Sequence, residues 1–165
     1  MLSQVLIKAI NSHAVALLHE TAGEYRACEV SVGNHKPPPF DRVPLLMDHL
    51  VNVVNWYWHA LEPIPLAAYA LWRVNYIHPF VNGNGRTARA ICYFILCRKF
   101  GALLPGDPIL PELLRMEPWR TRCIAALQEA DRAASASEPG GLAPLIALIV
   151  ELLAEQLNGQ RFEPS

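Results

Sequence analysis

The stretch "NYIHPFVNGNGRTARAICYF", residues 75–94, places several unusual residues between two apolar runs. It contains a histidine before a proline, two glycines around an asparagine, and two arginines three positions apart. Pro79 predicts the end of one helix. The next helix is expected to open at Gly85 or Arg86 and to run to Gly101, a natural C-cap. The stretch is therefore expected to form a short polar loop between two core helices.

The glycine-rich part of this loop predicts an anion site. Free backbone N–H groups and the positive end of the helix dipole meet where a helix begins. Gly83, Asn84 and Gly85 precede that point, and glycine lets the backbone approach an anion closely. Arg86 and Arg89 are three residues apart and are expected to share a helix face near the same end. Two arginines beside such a helix terminus suit a polyphosphate.

His78 and Phe80 complete the candidate site. Imidazole has an unperturbed pKa of about 6.5, so His78 can accept a proton at neutral pH. A base beside a phosphate site indicates activation of a hydroxyl for attack on phosphorus. Phe80 is the apolar residue of a polar loop and is predicted to anchor it in the core.

Each of these features taken alone is usually structural. A histidine before proline, a G-N-G turn and two surface arginines are all common. Together they form the ordered string H-P-F-x-x-G-N-G-R-x-x-R. At about one chance in twenty per specified position, coincidence is negligible.

Composition bounds the remaining possibilities. The 165 residues suit a single domain, and 52% hydrophobic with 18% charged residues is globular. The net charge of −1 and the lack of a basic block argue against nucleic acid or an anionic membrane as partner. Arg115, Arg120 and Arg122 are interpreted as a solvated helix face. The apolar run before Glu151 is too short to span a bilayer, so we expect a soluble, cytoplasmic protein.

Periodicity predicts an all-α domain, a helical bundle around a central buried helix, with one small β-hairpin. Besides the helix that opens at the loop, helices are expected over residues 2–20, from Pro44 through Trp58, from Pro65 to Ile77, and over about 118–133 and 142–157. The aromatic end of the second helix (Trp56, Tyr57 and Trp58) is predicted to be core. Residues 25–40 contain alternating residues, a Gly33-Asn34 turn pair and three prolines, which predict the hairpin.

Cysteine and histidine spacing argues against a protein-held metal. The four cysteines form no C-x-x-C pair and lie among apolar neighbours, so buried free thiols are expected. The histidines form no H-E-x-x-H or H-x-H pattern. Apart from His78, they are predicted to be surface or packing residues: His13, His19, His35, His49 and His59.

The ordered string resembles the signature of the Fic (filamentation induced by cAMP) family, H-P-F-x-[D/E]-G-N-G-R-x-x-R. "GEYR", "VSVGN" and "PPP" look like the family's flap, and "LAAYALWRVNYIHPF" looks like the helix that leads into the motif. The resemblance is strong over about residues 23–100. It implies a single Fic domain over residues 1–165, with a flap at about 25–40 and a catalytic loop and helix at 78–100.

The resemblance implies transfer of AMP from ATP to a Ser, Thr or Tyr hydroxyl of a target protein. His78 would be the general base, with Arg86 and Arg89 as catalytic partners that hold phosphates. Gly83, Asn84 and Gly85 would surround the phosphates, and Phe80 would anchor the loop. The flap would dock the target by strand addition, through residues Val30, Ser31, Val32 and Gly33.

Asn82 departs from the signature. The family's acidic residue at this position holds Mg²⁺, which proteins usually bind through one or two carboxylates together with substrate phosphates. Asn82 keeps an oxygen but gives up the charge, so Mg²⁺ would be held mainly by the nucleotide. We expect weakened magnesium affinity and slower transfer. The alternatives are a different Fic-type transfer (another nucleotide, phosphate, or de-AMPylation) and a catalytically weak module that binds a nucleotide or a partner.

Regulation is a further point of departure. Many relatives carry an inhibitory [S/T]-x-x-x-E-[G/N] helix, but no glutamate of this chain has Ser or Thr four residues earlier. Inhibition would have to come from a separate antitoxin in a toxin-like system, come from a segment outside this chain, or be absent. Formation of a homo-oligomer is compatible with this sequence.

Overall fold

The computed structural model describes residues 1–33, 35–105 and 114–158. These residues form six α-helices and one 3₁₀ turn, Phe40–Arg42. The helices are α1 (Gln4–Ala14), α2 (Val43–Trp56), α3 (Pro63–Ile77), α4 (Asn84–Phe100), α5 (Trp119–Ala136) and α6 (Ala143–Leu157). The prediction of an all-α bundle is confirmed.

The core is built around α3 and α4, which form the most extensive helix–helix contact among the described residues. The α3 helix also packs against α2, α5 and α6, while α1 packs against α4 and α2. The predicted central buried helix, α4, therefore shares the centre with α3. Both helices bury apolar residues on several faces, including Leu66, Leu71, Ile91 and Ile95, each with 0% exposure.

Proline and glycine mark the helix boundaries close to the predicted positions, although α3 begins at Pro63 rather than at Pro65. Pro44 lies in the first turn of α2 and Pro63 in that of α3, where the missing N–H costs no intrahelical bond. Gly101 ends α4 with a φ of 78°. The predicted helices over 118–133 and 142–157 correspond to α5 and α6.

The first helix ends sooner than predicted. The expected helix over residues 2–20 stops at Ala14, and Leu17 then takes a φ of 64° with a fully exposed side chain. The Ala14 carbonyl accepts a hydrogen bond from Arg86 Nη1 at 2.6 Å. The end of α1 therefore contacts the first turn of α4, which periodicity alone does not show.

Three local predictions were wrong in part. Of the three aromatic residues predicted to end the second helix, only Trp58 is core, and it lies beyond the end of α2 at Trp56, which is 83% exposed. Cys92, Cys97 and Cys123 are buried free thiols, but Cys28 is exposed. In the described part of the flap, the expected hairpin is reduced to one antiparallel bridge between Val32 and His35. Two strands alone are marginal, and the prolines that follow cannot donate to a ladder.

None of the helices that the described residues form is long and apolar enough to cross a membrane.

Candidate active site

His78 caps α3 in a strained conformation. Its N–H donates to the Val74 carbonyl at 2.9 Å, and its backbone is left-handed, with φ 51° and ψ 58°. A non-glycine residue held in this region costs about 1–3 kcal/mol and persists only where the surroundings enforce it. This left-handed turn leads the chain out of α3, and the imidazole lies at the edge of a cavity.

The buried side chain of Arg26 holds this turn. Its Nε donates to the His78 carbonyl at 2.9 Å, its Nη1 donates to Cys28 at 2.9 Å, and its Nη2 donates to Pro38. The Arg26 N–H also donates to the Pro79 carbonyl at 2.8 Å. With 3% of its surface exposed, Arg26 ties the flap segment and the end of α3 into one rigid unit.

The surroundings of His78 keep its imidazole neutral. Burial lowers its pKa below the ordinary 6.5, and the positive charges of His35 and Arg26 lower it further, whereas the Asn75 carbonyl raises it. His78 Nδ1 lies 3.3 Å from that carbonyl oxygen, which can only accept. Nδ1 therefore carries the ring proton, and the lone pair of Nε2 is left to accept a proton from another group.

The loop that follows opens α4 at a close approach to α1. Gly83 has a φ of 80°, and a Cβ at this position would lie 2.3 Å from Val15 Cγ1. Its carbonyl accepts from the Thr87 N–H at 2.9 Å, so the N–H groups of Gly85 and Arg86 precede the intrahelical bonds of α4. This end of α4 has the geometry of an anion site.

Asn84 fixes the loop through its side chain. Its Oδ1 accepts from the Phe80 N–H at 2.9 Å, and its Nδ2 donates to the Phe80 carbonyl at 2.7 Å. Asn84 is 2% exposed and Phe80 is 1% exposed, with the Phe80 ring 5.5 Å from that of Tyr25. The Asn84 side chain is thus occupied by the loop, and only its backbone is placed to meet a phosphate.

Asn11 of α1 braces the same loop from the other side. Its Nδ2 donates to the Asn82 carbonyl at 3.0 Å and to Thr87 Oγ1 at 3.1 Å. Its Oδ1 accepts from the Gly23 N–H at 2.9 Å. A single buried amide therefore joins α1, the loop and α4.

The two motif arginines contact different neighbours, contrary to the expected shared face. Arg86 donates to Ala14 at the end of α1 and lies 3.5 Å from Asn82 Oδ1. Arg89 turns towards α5, where its positive charge acts on the pKa of Cys123. Arg89 lines a cavity between α4 and α5.

Two adjacent cavities border the candidate site. The larger, about 490 Å³, is bordered by His78, the flap residues Val32 and Gly33, and the aromatic rings of Trp72 and Tyr76. The smaller, about 140 Å³, holds Arg89 and Gly85 together with Arg115. Four residues line both cavities, so the two are neighbouring parts of one groove: Asn75, Arg120, Ile124 and Leu127.

The flap forms one rim of the larger cavity. Ser31, Val32 and Gly33 are exposed, Val30 is half-buried, and His35 reaches back towards the helices. His35 Nε2 lies 2.9 Å from the Tyr76 carbonyl, and Nδ1 lies 3.5 Å from Asp131 Oδ2 of α5. His35 therefore attaches the flap to both walls of the groove.

Known proteins resemble this chain in sequence and in fold. Residues 1–96 match the sequence profile of the Fic/DOC family. The chain belongs to the Fic/DOC family. The "Protein adenylyltransferase Fic" of Drosophila persimilis is 40% identical over 77 residues, 46% of this chain and 15% of that protein. The protein of the same name from Drosophila melanogaster is 40% identical over 77 residues, 46% of this chain and 16% of its own length. This Fic domain thus spans a small part of its fly relatives.

Solved Fic structures share the fold. A Fic family protein from Desulfovibrio desulfuricans G20 has a TM-score of 0.72 at 23% identity, covering 94% of this chain and 47% of that one. Fic-1 from C. elegans has a TM-score of 0.72 at 22% identity, covering 95% of this chain and 42% of that one. At these identities the likeness establishes the fold alone.

The Asn82 side chain itself offers a metal ion no carboxylate. Asn82 offers one neutral amide oxygen, and the Arg86 guanidinium lies 3.5 Å from it. Within the described residues, no group of three or more His, Cys, Asp or Glu side chains is placed to hold a metal ion. A metal that enters with a nucleotide would therefore have to be held by the phosphates.

Sequence reasoning missed several residues of the candidate site. Asn11 follows buried Ile7 by four positions, and a polar residue on the apolar face of a helix is the signal that marks it. Arg120 was interpreted as part of a solvated face and His35 as a surface or packing residue, yet both line the larger cavity. Arg26 and Asp131 carry no local signal, because their partners are remote in sequence.

Proposed function

We propose that this Fic domain transfers AMP from ATP to a Ser, Thr or Tyr hydroxyl of a target protein. The observation that carries the proposal is His78, a neutral base whose Nε2 lone pair is free of the Asn75 contact and which borders the large cavity. The start of α4 and Arg89 lie next to that cavity. The names of the fly relatives support the same reaction class.

The reaction balances with the residues present. His78 Nε2 accepts the proton of the target hydroxyl as its oxygen attacks the α-phosphorus. A new P–O bond forms to the target, and the bond between the α-phosphorus and the bridging oxygen breaks, releasing pyrophosphate. Backbone N–H groups at the start of α4 and the Arg89 guanidinium orient the phosphates and stabilise their charge.

The flap is the proposed docking site for the target. Ser31, Val32 and Gly33 are exposed at the rim of the cavity that His78 borders. An extended target segment that pairs with this backbone would bring its hydroxyl towards the histidine. No glutamate of this chain lies in the inhibitory motif. A separate antitoxin that blocks the groove would supply the inhibition instead.

The proposal is tested by incubating the protein and a cell lysate with ATP labelled at the α-phosphate and, separately, at the γ-phosphate. Transfer of the α-label is expected with the wild type and the matched variant His49→Ala, because His49 lies on the exposed face of α2. His78→Ala is expected to lose transfer by at least about a hundredfold, the usual contribution of a general base.

Two outcomes would contradict this proposal. Transfer of the γ-label alone would identify phosphate transfer instead. ATP binding with no transfer of either label would favour the nucleotide-binding module, the alternative that neutral Asn82 supports.

A further inference from the structure

A separate cavity of about 310 Å³ lies between the end of the flap, the start of α2 and the second half of α3. We call it the α2–α3 groove. Its walls include six residues that are apolar, aromatic or cationic: Pro38, Pro39, Arg42, Leu45, Arg73 and Tyr76. Tyr76 also lines the large cavity that His78 borders, so the groove and that cavity are neighbours.

The α2–α3 groove combines apolar walls with positive charge. Arg42 and Arg73 line it, and none of the described residues that line it is acidic. Pro39 is exposed, and Leu45 keeps 62% of its surface exposed, which is a large fraction for an apolar side chain. Apolar walls with a few convergent charged groups are typical of binding sites.

The Arg73 guanidinium is held in place by aromatic side chains. Its Cζ lies 5.1 Å from the centre of the Trp72 ring and 5.0 Å from that of Tyr76. Burial raises the pKa of the Tyr69 hydroxyl, whereas the charge of Arg73 and a hydrogen bond from it lower that pKa. Arg73 Nε is buried and has no hydrogen-bond partner among the described residues. An unsatisfied buried donor is costly and rare, so Arg73 points to an acceptor that a ligand supplies.

The side chain of Arg42 is also available to a ligand. Its backbone N–H donates to the Pro39 carbonyl at 3.0 Å, but its exposed side chain forms no ion pair with any described residue. Asp41 beside it is exposed and does not line the groove. Glu29 of the flap accepts from the Phe40 N–H at 3.3 Å instead. The groove therefore keeps two positive charges that the described carboxylates do not neutralise.

These features favour a peptide that carries carboxylates next to apolar side chains. Guanidinium groups bind carboxylates in a bidentate way and keep their charge at any physiological pH. A small inorganic anion would satisfy the two arginines but would leave the proline and leucine walls uncovered. A basic segment would be repelled.

We propose that the α2–α3 groove docks an acidic, apolar segment of a protein partner, with carboxylates on Arg42 and Arg73 and apolar side chains on Pro39 and Leu45. The inference does not depend on the reaction of the proposed function. A partner bound here would lie next to the large cavity, because Tyr76 lines both. A second contact of the same partner at the flap would then become intramolecular and would strengthen its binding.

The test starts with a random peptide library, displayed on phage and selected on the immobilised full chain. The enriched peptides are expected to carry Asp or Glu next to apolar residues. One enriched peptide is then labelled with fluorescein and titrated by anisotropy. Arg42→Glu is expected to weaken its binding by at least about tenfold, because repulsion replaces attraction. Arg73→Gln and Leu45→Ser should each weaken it by at least about threefold, and added salt should weaken binding to the wild type.

Arg98→Glu is the matched control, since Arg98 is exposed near the end of α4 and does not line the groove. It makes the same change of charge as Arg42→Glu and should leave peptide binding within about twofold of the wild type. His78→Ala should also stay within about twofold, so that peptide binding is measured separately from AMP transfer. Thermal unfolding shows whether each variant is folded, and Arg42→Glu alters an exposed side chain only.

Three outcomes would overturn the inference. The first is a selection that enriches no peptide, or only peptides without acidic residues. The second is an equal effect of Arg42→Glu and Arg98→Glu. The third is unchanged binding of a peptide whose apolar residues are replaced by serine, which would identify a site for the anion alone. Absence of AMP transfer by the wild type, with Arg42-dependent peptide binding intact, would contradict the proposed function and leave this inference standing.

Discussion

At the scale of single residues, the chemistry of His78 comes from its position. Its left-handed backbone places the ring at the edge of the cavity, and Arg26 holds that conformation through the His78 carbonyl. The contact with the Asn75 carbonyl oxygen places the ring proton on Nδ1, and burial lowers the pKa of His78. An ordinary exposed histidine would be partly protonated near pH 6.5, whereas this one is held ready to accept a proton.

The lowered pKa of His78 makes a prediction about pH. Below its pKa the ring is protonated and cannot accept the hydroxyl proton. The kcat/KM for α-label transfer should therefore fall about tenfold per pH unit on an acid limb whose midpoint lies below 6.5. His35→Ala should move this midpoint upward, because it removes a charge that lowers the His78 pKa and admits solvent. A midpoint above 6.5 in the wild type would contradict this assignment.

Asn82→Asp tests the other unusual residue of the motif. A carboxylate there gives a nucleotide-bound Mg²⁺ an additional ligand, so transfer should increase at low, non-zero magnesium concentrations. In EDTA it should not increase, because the new charge repels the polyphosphate and pairs with Arg86, which lies 3.5 Å from Asn82 Oδ1. Rates measured across a magnesium titration, with no difference between the variants, would refute this account of Asn82.

At the scale of secondary-structure elements, the conformation of the loop between α3 and α4 depends on how α1 and α4 meet. The Asn11 amide of α1 bonds both the loop and Thr87, and Val15 packs where a Cβ of Gly83 would be. Arg86 caps the end of α1 from the other side. The G-N-G run therefore has a steric role in addition to its exposure of backbone N–H groups.

Gly83→Ala is predicted to lower the free energy of unfolding by about 2–5 kcal/mol. A side chain at a φ of 80° costs about 1–2 kcal/mol, and the overlap with Val15 Cγ1 adds about 1–3 kcal/mol. Gly101→Ala is the matched control, since Gly101 has a φ of 78° and no atom within 4 Å of an added Cβ. Chemical denaturation should show only about 1–2 kcal/mol lost there. Equal losses at the two sites would rule out the steric contact.

At the scale of the whole molecule, α5 completes the groove although it lies beyond the residues that match the family profile. Trp72 Nε1 of α3 donates to Asp131 Oδ1 of α5 at 2.7 Å, and His35 of the flap faces the other oxygen of Asp131. One carboxylate thus connects α3, α5 and the flap. Arg120 also enters the groove from α5.

Asp131→Ala is predicted to lower the free energy of unfolding by about 1–3 kcal/mol, because Trp72 is nearly buried and its N–H would lose its acceptor. Asp131→Asn keeps an acceptor oxygen and should lose less. Glu20→Ala, a change at an exposed residue after α1, should stay within about 0.5 kcal/mol of the wild type in the same denaturation series. A stable Asp131→Ala variant would show that this carboxylate does not join the two helices.

Much of the architecture could be predicted from local pattern. The bounds of α2 to α6 follow from helical periodicity together with proline and glycine signals, because these act within a few residues. The flap was less predictable: its alternating residues favour strands, but a ladder needs partners that the pattern does not specify. Trp56 is exposed although it is as apolar as Trp58, because the direction of a side chain near a helix end depends on packing.

The sequence by itself determined the helices, the loop with His78, the glycines and the arginines, and the neutral Asn82, since these depend on local residue order. Only the tertiary structure decided which side chains share the groove. Arg26, Asn11 and Asp131 act on residues more than 50 positions away, Arg86 and Arg89 face different neighbours, and Arg115 and Arg120 join Arg89. The physical reason is that cavities and buried hydrogen bonds form between elements, and their partners are fixed by helix packing rather than by spacing along the chain.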